Sequence, residues 1–157
     1  MSAAPRQPRP RLMQRFLRFM SERQVLSDGR MLELYPPFWF MRIKVLEMDR
    51  EWRRVRIRLP LNAISRNPGG VMFGGFQAAL ADPIAALACA RVFPGYSVWT
   101  RGLAVDFEHG GSTDLELRFE FPLELEAQIR DALAREQRAT PSFEYGFYLR
   151  DGSRCTR

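Results

Sequence analysis

The run Asn67-Pro68-Gly69-Gly70-Val71-Met72-Phe73-Gly74-Gly75 leads straight into an alanine-rich stretch holding one carboxylate, Asp82. A glycine-dense turn feeding a helix that is apolar almost all round restricts the fold severely. Such a helix has no polar face to offer water, so it is expected to lie buried inside a sheet or bundle. A lone acid within it then needs a reason to be there. Glycines at the helix start also let a ligand or another chain approach backbone N–H groups that are unpaired and carry the positive end of the helix dipole. A carboxylate two turns further on could act on whatever is held there, and the combination points to an active site.

A chain of 157 residues is long enough for one domain with a real core, and 46% hydrophobic content places it among globular proteins. No apolar run approaches the roughly 18 residues that a membrane span requires. The longest, Val71 to Val92, is interrupted by Gly74, Gly75, Gln77, Asp82, Pro83 and Arg91, and reads as a core helix. The formal charge of +6 raises the question of nucleic acid. Yet every basic residue except Lys44 is arginine, a skew that fits codon bias in a GC-rich genome better than a phosphate-binding groove. In Arg54-Val55-Arg56-Ile57-Arg58 the arginines alternate with apolar residues, as on the solvated face of a sheet. No nucleic-acid partner is expected.

Cys89 and Cys155 stand far apart, outside any metal-ligand or redox spacing, and His109 is the one histidine. Zinc catalysis and Ser-His-Asp or Cys-His chemistry therefore have little material, and neither a metal nor a cofactor is expected. His109, followed by Gly110-Gly111, reads as a solvent-facing turn residue. Cys89, on the apolar run, reads as a small buried hydrophobe.

Residues 1–10, rich in Pro and Arg, are expected to be disordered. Arg11 to Leu26 carries apolar residues on one side and Arg11, Arg15 and Arg18 on the other, the pattern of an amphipathic helix. Its scarcity of Ser and Thr argues against a transit peptide. Packing on its own domain is preferred over a membrane surface. No secretory apolar segment is present, and a cytoplasmic protein is expected. Residues 1–30 are thus expected to hold a disordered start and amphipathic helix, and 31–157 a single domain.

Tyr35-Pro36-Pro37-Phe38-Trp39-Phe40 is predicted to break any helix and open an extended aromatic run. Met41 to Met48 and Trp52 to Leu59 follow as strands joined by an Asp49-Arg50-Glu51 hairpin. After the buried helix, which ends near Phe93-Pro94-Gly95, strands are predicted over Ser97 to Glu108, Asp114 to Phe121 and Ser142 to Leu149. A surface helix is expected over Leu123 to Arg138. Asp151-Gly152 is a hairpin turn leading to a sixth strand. The fold class is α+β: an antiparallel sheet of five to six strands around one central helix, with an extra N-terminal helix.

That order, with Gly74-Gly75-Phe76-Gln77-Ala78-Ala79-Leu80-Ala81-Asp82 at its centre, resembles the hotdog-fold thioesterase superfamily. The seven-residue step from Gly75 to Asp82 is similar to that of phenylacetic-acid-type thioesterases, where a His-Gly-Gly triplet opens the helix and a catalytic Asp follows. The likeness is closer to a branch known mainly as a domain of unknown function, through its Phe-Gly-Gly…Asp-Pro helix and the Val98-Trp99 pair. It covers roughly residues 31–157.

The resemblance implies an acyl-CoA thioesterase acting at a dimer interface, as a homodimer or homotetramer. The thioester carbonyl would rest on backbone N–H groups of Gly74, Gly75 or Phe76, with Asp82 as general base or nucleophile. Desolvation in the alanine-lined helix would raise the pKa of that acid. Asn67 or Gln77 would position water or carbonyl. Phe38, Trp39 and Phe40, with Phe73 and Phe76, would wall an acyl pocket, and Arg66, Arg91 or Arg101 would meet coenzyme A phosphates. Phe73 stands where the better-known branch has its His, Pro83 directly follows the acid and kinks the helix, and the final strand is short. Two simpler readings compete. Asp82-Pro83 also suits an N-cap and first residue restarting a broken helix, and Gly74-Gly75 also suits close backbone packing. The alternative function is a non-catalytic hotdog protein that binds acyl groups or coenzyme A.

Overall fold

The computed structural model describes residues 27–157. The amphipathic helix expected over Arg11 to Leu26 lies outside the described residues. Two short helices open the fold, α1 (Asp28–Leu34) and α2 (Pro36–Met41). In α1 the Ser27 hydroxyl caps the Arg30 amide, and Asp28 complements the dipole in the first turn. The extended aromatic run predicted at 35–40 is corrected to α2. Tyr35 is indeed extended (φ −61°, ψ 126°), but Pro36 and Pro37 occupy the first helical positions. There a missing N–H costs nothing, so the prolines that end α1 also start α2.

Strands β1 (Lys44–Met48), β2 (Arg54–Leu59), β3 (Leu115–Glu120), β4 (Gly146–Tyr148) and β5 (Arg154–Thr156) form one antiparallel sheet in the order β1-β2-β3-β4-β5. The period-two pattern decides its faces. Val55, Ile57 and Leu59 stand opposite Phe119, Leu117 and Leu115, and all six are buried. Leu80, Ala81, Ile84, Ala88 and Cys89 join them in the same core from two consecutive helices, α3 (Gly74–Ala81) and α4 (Ile84–Val92). The sheet therefore packs its apolar face on a central helix broken once, at Asp82-Pro83. After β3, α5 (Leu123–Glu136) buries Ile129 and anchors Glu126 between Arg53 and Arg130. Asp151 and Gly152 (φ 88°) turn β4 into β5.

On the outer face Arg56 lies opposite Arg118, a like-charge pair that would repel on its own. Glu116, diagonal to Arg56 and two residues before Arg118 on β3, bonds each guanidinium at 2.7 Å. The two Arg neighbours, Arg56 foremost, hold the Glu116 carboxyl below its ordinary value. Arginines here alternate with acids across the strands.

Two further expectations are corrected. Ser97 to Glu108 is not a regular strand: its amides pair only near its end, where Asp106 and Arg157 exchange bonds and Glu108 and His109 donate to the Cys155 carbonyl. Residues 97–105 have no backbone strand partner among the described residues, and Val98, Trp99 and Leu103 stay exposed. Nor is the central helix buried all round. Ala79, Asp82, Leu87 and Ala90 lie on an exposed face.

Candidate functional site

The glycine turn is built by Asn67. Its amide donates to the Val71 carbonyl, its carbonyl accepts from the Gly70 amide, and its side-chain oxygen accepts from the Val71 amide at 3.3 Å. Gly70 takes φ 82°, open only to glycine without strain. Thus Asn67 holds the turn that aims α3. Phe73, the N-cap, has no side-chain acceptor to give, and its carbonyl satisfies only the Phe76 amide by an added bond of 3.0 Å. Among the described residues the Gly74 and Gly75 amides have no protein acceptor.

Two aromatic rings flank these glycines. A methyl group at Gly74 would come within 2.7 Å of the Phe107 ring, and one at Gly75 within 2.7 Å of Phe73 Cζ. Close packing is therefore one reason for Gly74-Gly75. Phe73 stacks edge-on with Phe76, and Phe76 with Phe40 at 6.2 Å, so a row of rings leads away from the turn.

Beside the turn lies a cavity of about 520 Å³ whose walls include Asn67, Phe73, Gly74, Gln77, Phe107 and His109. Gln77 is 2% exposed, and its amide oxygen accepts from the Thr156 hydroxyl. That leaves its amide N–H₂ without a protein acceptor among the described residues. A larger groove of about 790 Å³, lined by α1, β1 and the first hairpin, lies away from the glycines.

Of the predicted site residues, Asn67, Phe73, Gly74 and Gln77 share this cavity, with Gly75 and Phe76 adjoining. Phe38 is 3% exposed and belongs to the core, so it does not wall a pocket, whereas Trp39 and Phe40 are exposed. Arg66 is exposed beside the turn, where its backbone bridges Met72. Arg91, at the far end of α4, is engaged with Asp28, and Arg101 lies on the unpaired 97–105 segment. His109 and Phe107 are cavity residues that sequence reasoning missed. Only the tertiary placement of their segment across from the glycine turn shows it.

Asp82 departs most from expectation. It is exposed, so the burial expected from the sequence is not present in the single chain. It also does not cap α4: its backbone is helical (φ −42°, ψ −52°), and no side-chain cap bond is made there. Its carboxylate has no hydrogen-bond partner among the described residues. Among the described residues no three His, Cys, Asp or Glu are grouped to hold a metal. No described helix is long and apolar enough to cross a membrane.

A family profile described as a domain of unknown function, DUF4442, matches residues 23–152. No protein of curated function matches the sequence. Among solved structures, the chain is similar to PA5026 of Pseudomonas aeruginosa, a protein of unknown function called a probable thioesterase (TM-score 0.63, 16% identity, 96% of this chain and 91% of that one). It is similar to thioesterase HI1161 of Haemophilus influenzae (TM-score 0.59, 15% identity, 80% and 79%). A third likeness is to a mutant of phenylacetic acid degradation protein PaaI of Thermus thermophilus (TM-score 0.51, 19% identity, 77% and 91%). These likenesses, with the antiparallel sheet around the helix of residues 74–92, establish the hotdog fold.

Proposed function

The chain belongs to the DUF4442 family, and from that premise we propose that it hydrolyses an acyl-coenzyme A or related thioester at the opening of α3. The observation that carries this reading is the pair of unpartnered amides, Gly74 and Gly75, at the start of an eight-residue helix beside a cavity. A thioester carbonyl set against them would accept two hydrogen bonds that strengthen as its oxygen becomes an anion. Asp82 would take a proton from the attacking water, or attack the acyl carbon itself. The C–S bond then breaks and the thiolate leaves with the proton held by Asp82, or, after direct attack, water opens the mixed anhydride and frees Asp82. Gln77, and Asn67 through the turn, would orient the carbonyl or the water. The rings of Phe73, Phe76, Phe40 and Trp39 offer apolar surface to the acyl group, and Arg66 and Arg101 offer charge to coenzyme A phosphates.

Helix geometry supports a site shared by two chains. Gly75 and Asp82 are separated by seven residues, on the order of 10 Å along the axis. One reacting carbon cannot touch both, so Asp82 of one copy is assigned to the glycine turn of another. The exposed helix face (Ala79, Leu87, Ala90) and the unpaired 97–105 segment with Trp99, 72% exposed, supply an apolar surface and a strand edge for that second copy.

The covering of both glycines by Phe107 and Phe73 favours a second reading, a dimer that binds acyl groups or coenzyme A without cleaving them. Steady-state hydrolysis of short-, medium- and long-chain acyl-coenzyme A by wild type and Asp82→Asn separates the two. The enzyme reading expects a loss of roughly 100-fold or more, the usual scale for a general base. Equal turnover in both proteins would overturn the role of Asp82. No turnover in either, with acyl-coenzyme A still raising Tm, would establish the binder.

A further inference from the structure

Proline 83 has no N–H to give to the preceding turn, so a continuous helix cannot pass through it. The break opens carbonyls on the acid's own turn, and two side chains from outside the helix close them. The Tyr145 hydroxyl donates to the Ala81 carbonyl oxygen at 2.7 Å, and the Thr100 hydroxyl donates to the Asp82 carbonyl oxygen at 2.6 Å. The Tyr145 oxygen also faces the Ala85 amide. A phenol thus stands in the gap that a direct Ala85 to Ala81 bond would span, an insertion into the helical ladder that bends its axis.

The tyrosine is itself firmly set. Its ring meets Phe119 edge-on, with centroids 5.3 Å apart, and Phe119 is buried in the sheet core. Burial foremost pushes the Tyr145 hydroxyl up to about 12, opposed by the Ala85 amide and aided by the negative charge of Asp82. The hydroxyl therefore stays a donor across the ordinary pH range, and it lies close enough to Asp82 to feel its charge. The opened carbonyl oxygens need donors, which the Tyr145 and Thr100 hydroxyls supply, and the Tyr145 oxygen also meets the Ala85 amide that a carboxylate could otherwise accept from.

We propose that Tyr145, aided by Thr100, is a positioning residue for Asp82: its inserted hydroxyl sets the helix break and so the direction in which the carboxylate leaves the helix. This rests on the thioesterase reading, in which Asp82 is the reacting acid. The hydroxyl bonds only to backbone, so it acts through Asp82 and not on the substrate.

Tyr145→Phe removes the hydroxyl and keeps the ring against Phe119. The expected result is a kcat lowered about tenfold with KM changed by no more than about twofold, since a misaimed acid slows the step without weakening binding. Thr100→Val should shift kcat the same way by less. Phe143→Leu loosens the same aromatic cluster, where Phe143 meets Phe119 and Phe121. It carries no hydroxyl to donate to the break, and kcat should hold. The ¹³C resonance of the Asp82 carboxyl should move in Tyr145→Phe and stay in Phe143→Leu. A kcat unchanged in Tyr145→Phe, or lowered equally in Phe143→Leu, overturns the proposal. Should wild type hydrolyse no thioester, the function proposed above fails by itself. The Asp82 resonance then decides the positioning alone: unmoved by Tyr145→Phe, it overturns it, and moved, it sustains it.

Discussion

Gln77 and Thr156 share a hydrogen bond of 2.6 Å in an interior where neither is more than 2% exposed. It joins the first turns of α3 to the last strand of the sheet, across a separation of 79 residues. The Thr156 hydroxyl donates and the Gln77 oxygen accepts, which turns the glutamine amide away from the strand.

Thr156→Val keeps the volume of the side chain and strands the Gln77 oxygen. Leaving a buried acceptor unpaired costs about 1–3 kcal/mol, and urea denaturation should show that loss with an unchanged m-value. A variant as stable as wild type would mean that water or a rotated amide serves the oxygen instead.

The proposed second copy is tested at the exposed helix face. Leu87→Arg places a charge in the centre of the surface assigned to the partner, and Trp99→Ser removes the largest exposed ring on the adjoining segment. Light scattering after gel filtration should give a dimer for wild type and monomers for the double variant, with far-UV circular dichroism unchanged. A wild-type monomer at concentrations where turnover is seen would sink the shared site.

Acid should unfold this protein through its arginine-bound glutamates. Hydrogen bonds from Arg53 foremost, then Arg130, hold Glu126 below the ordinary 4.5, and Arg56 and Arg118 do the same for Glu116. Their folded pKa values lie below the unfolded ones, so on acidification the unfolded chain takes up protons first. The stabilisation is fully present above about 4.5 and is lost as pH falls through the lower folded values. Thermal melts from pH 6 to about 3 should show a steeper decline for wild type than for Glu126→Gln, and parallel curves would contradict this.

Much of the fold was legible, and the reasons are local. Val55, Ile57 and Leu59, like Leu115, Leu117 and Phe119, alternate with charged residues, and a two-residue period needs no tertiary knowledge to read. Pro83 marked the helix break by its chemistry alone. Tyr35-Pro36-Pro37 misled because proline suits a helix start as well as a helix stop. The burial of Asp82 was misjudged because alanine carries no signal of which way it faces: Ala81 and Ala88 turn inward, Ala79 and Ala90 outward. The 97–105 segment alternates as a strand does, yet alternation cannot say whether a neighbour exists. In the candidate site, the Asn67 turn and the Gly74-Gly75 amides could be read from spacing. Tyr145, which meets Ala81 across 64 residues, could not, and neither could the arrival of Phe107 and His109 beside Gly74.

The outer face of the sheet carries its own asymmetry. Glu47 pairs with both Arg54 and Arg56, and Glu116 with both Arg56 and Arg118. Each acid is a keystone between two cations, while Arg56 can lose either acid and still keep one. Removing an arginine here relieves crowding of like charge, but removing a glutamate leaves two neighbouring guanidinium groups without their shared acid. Drift in sequence should therefore consume the arginines of this surface long before it touches Glu47 or Glu116.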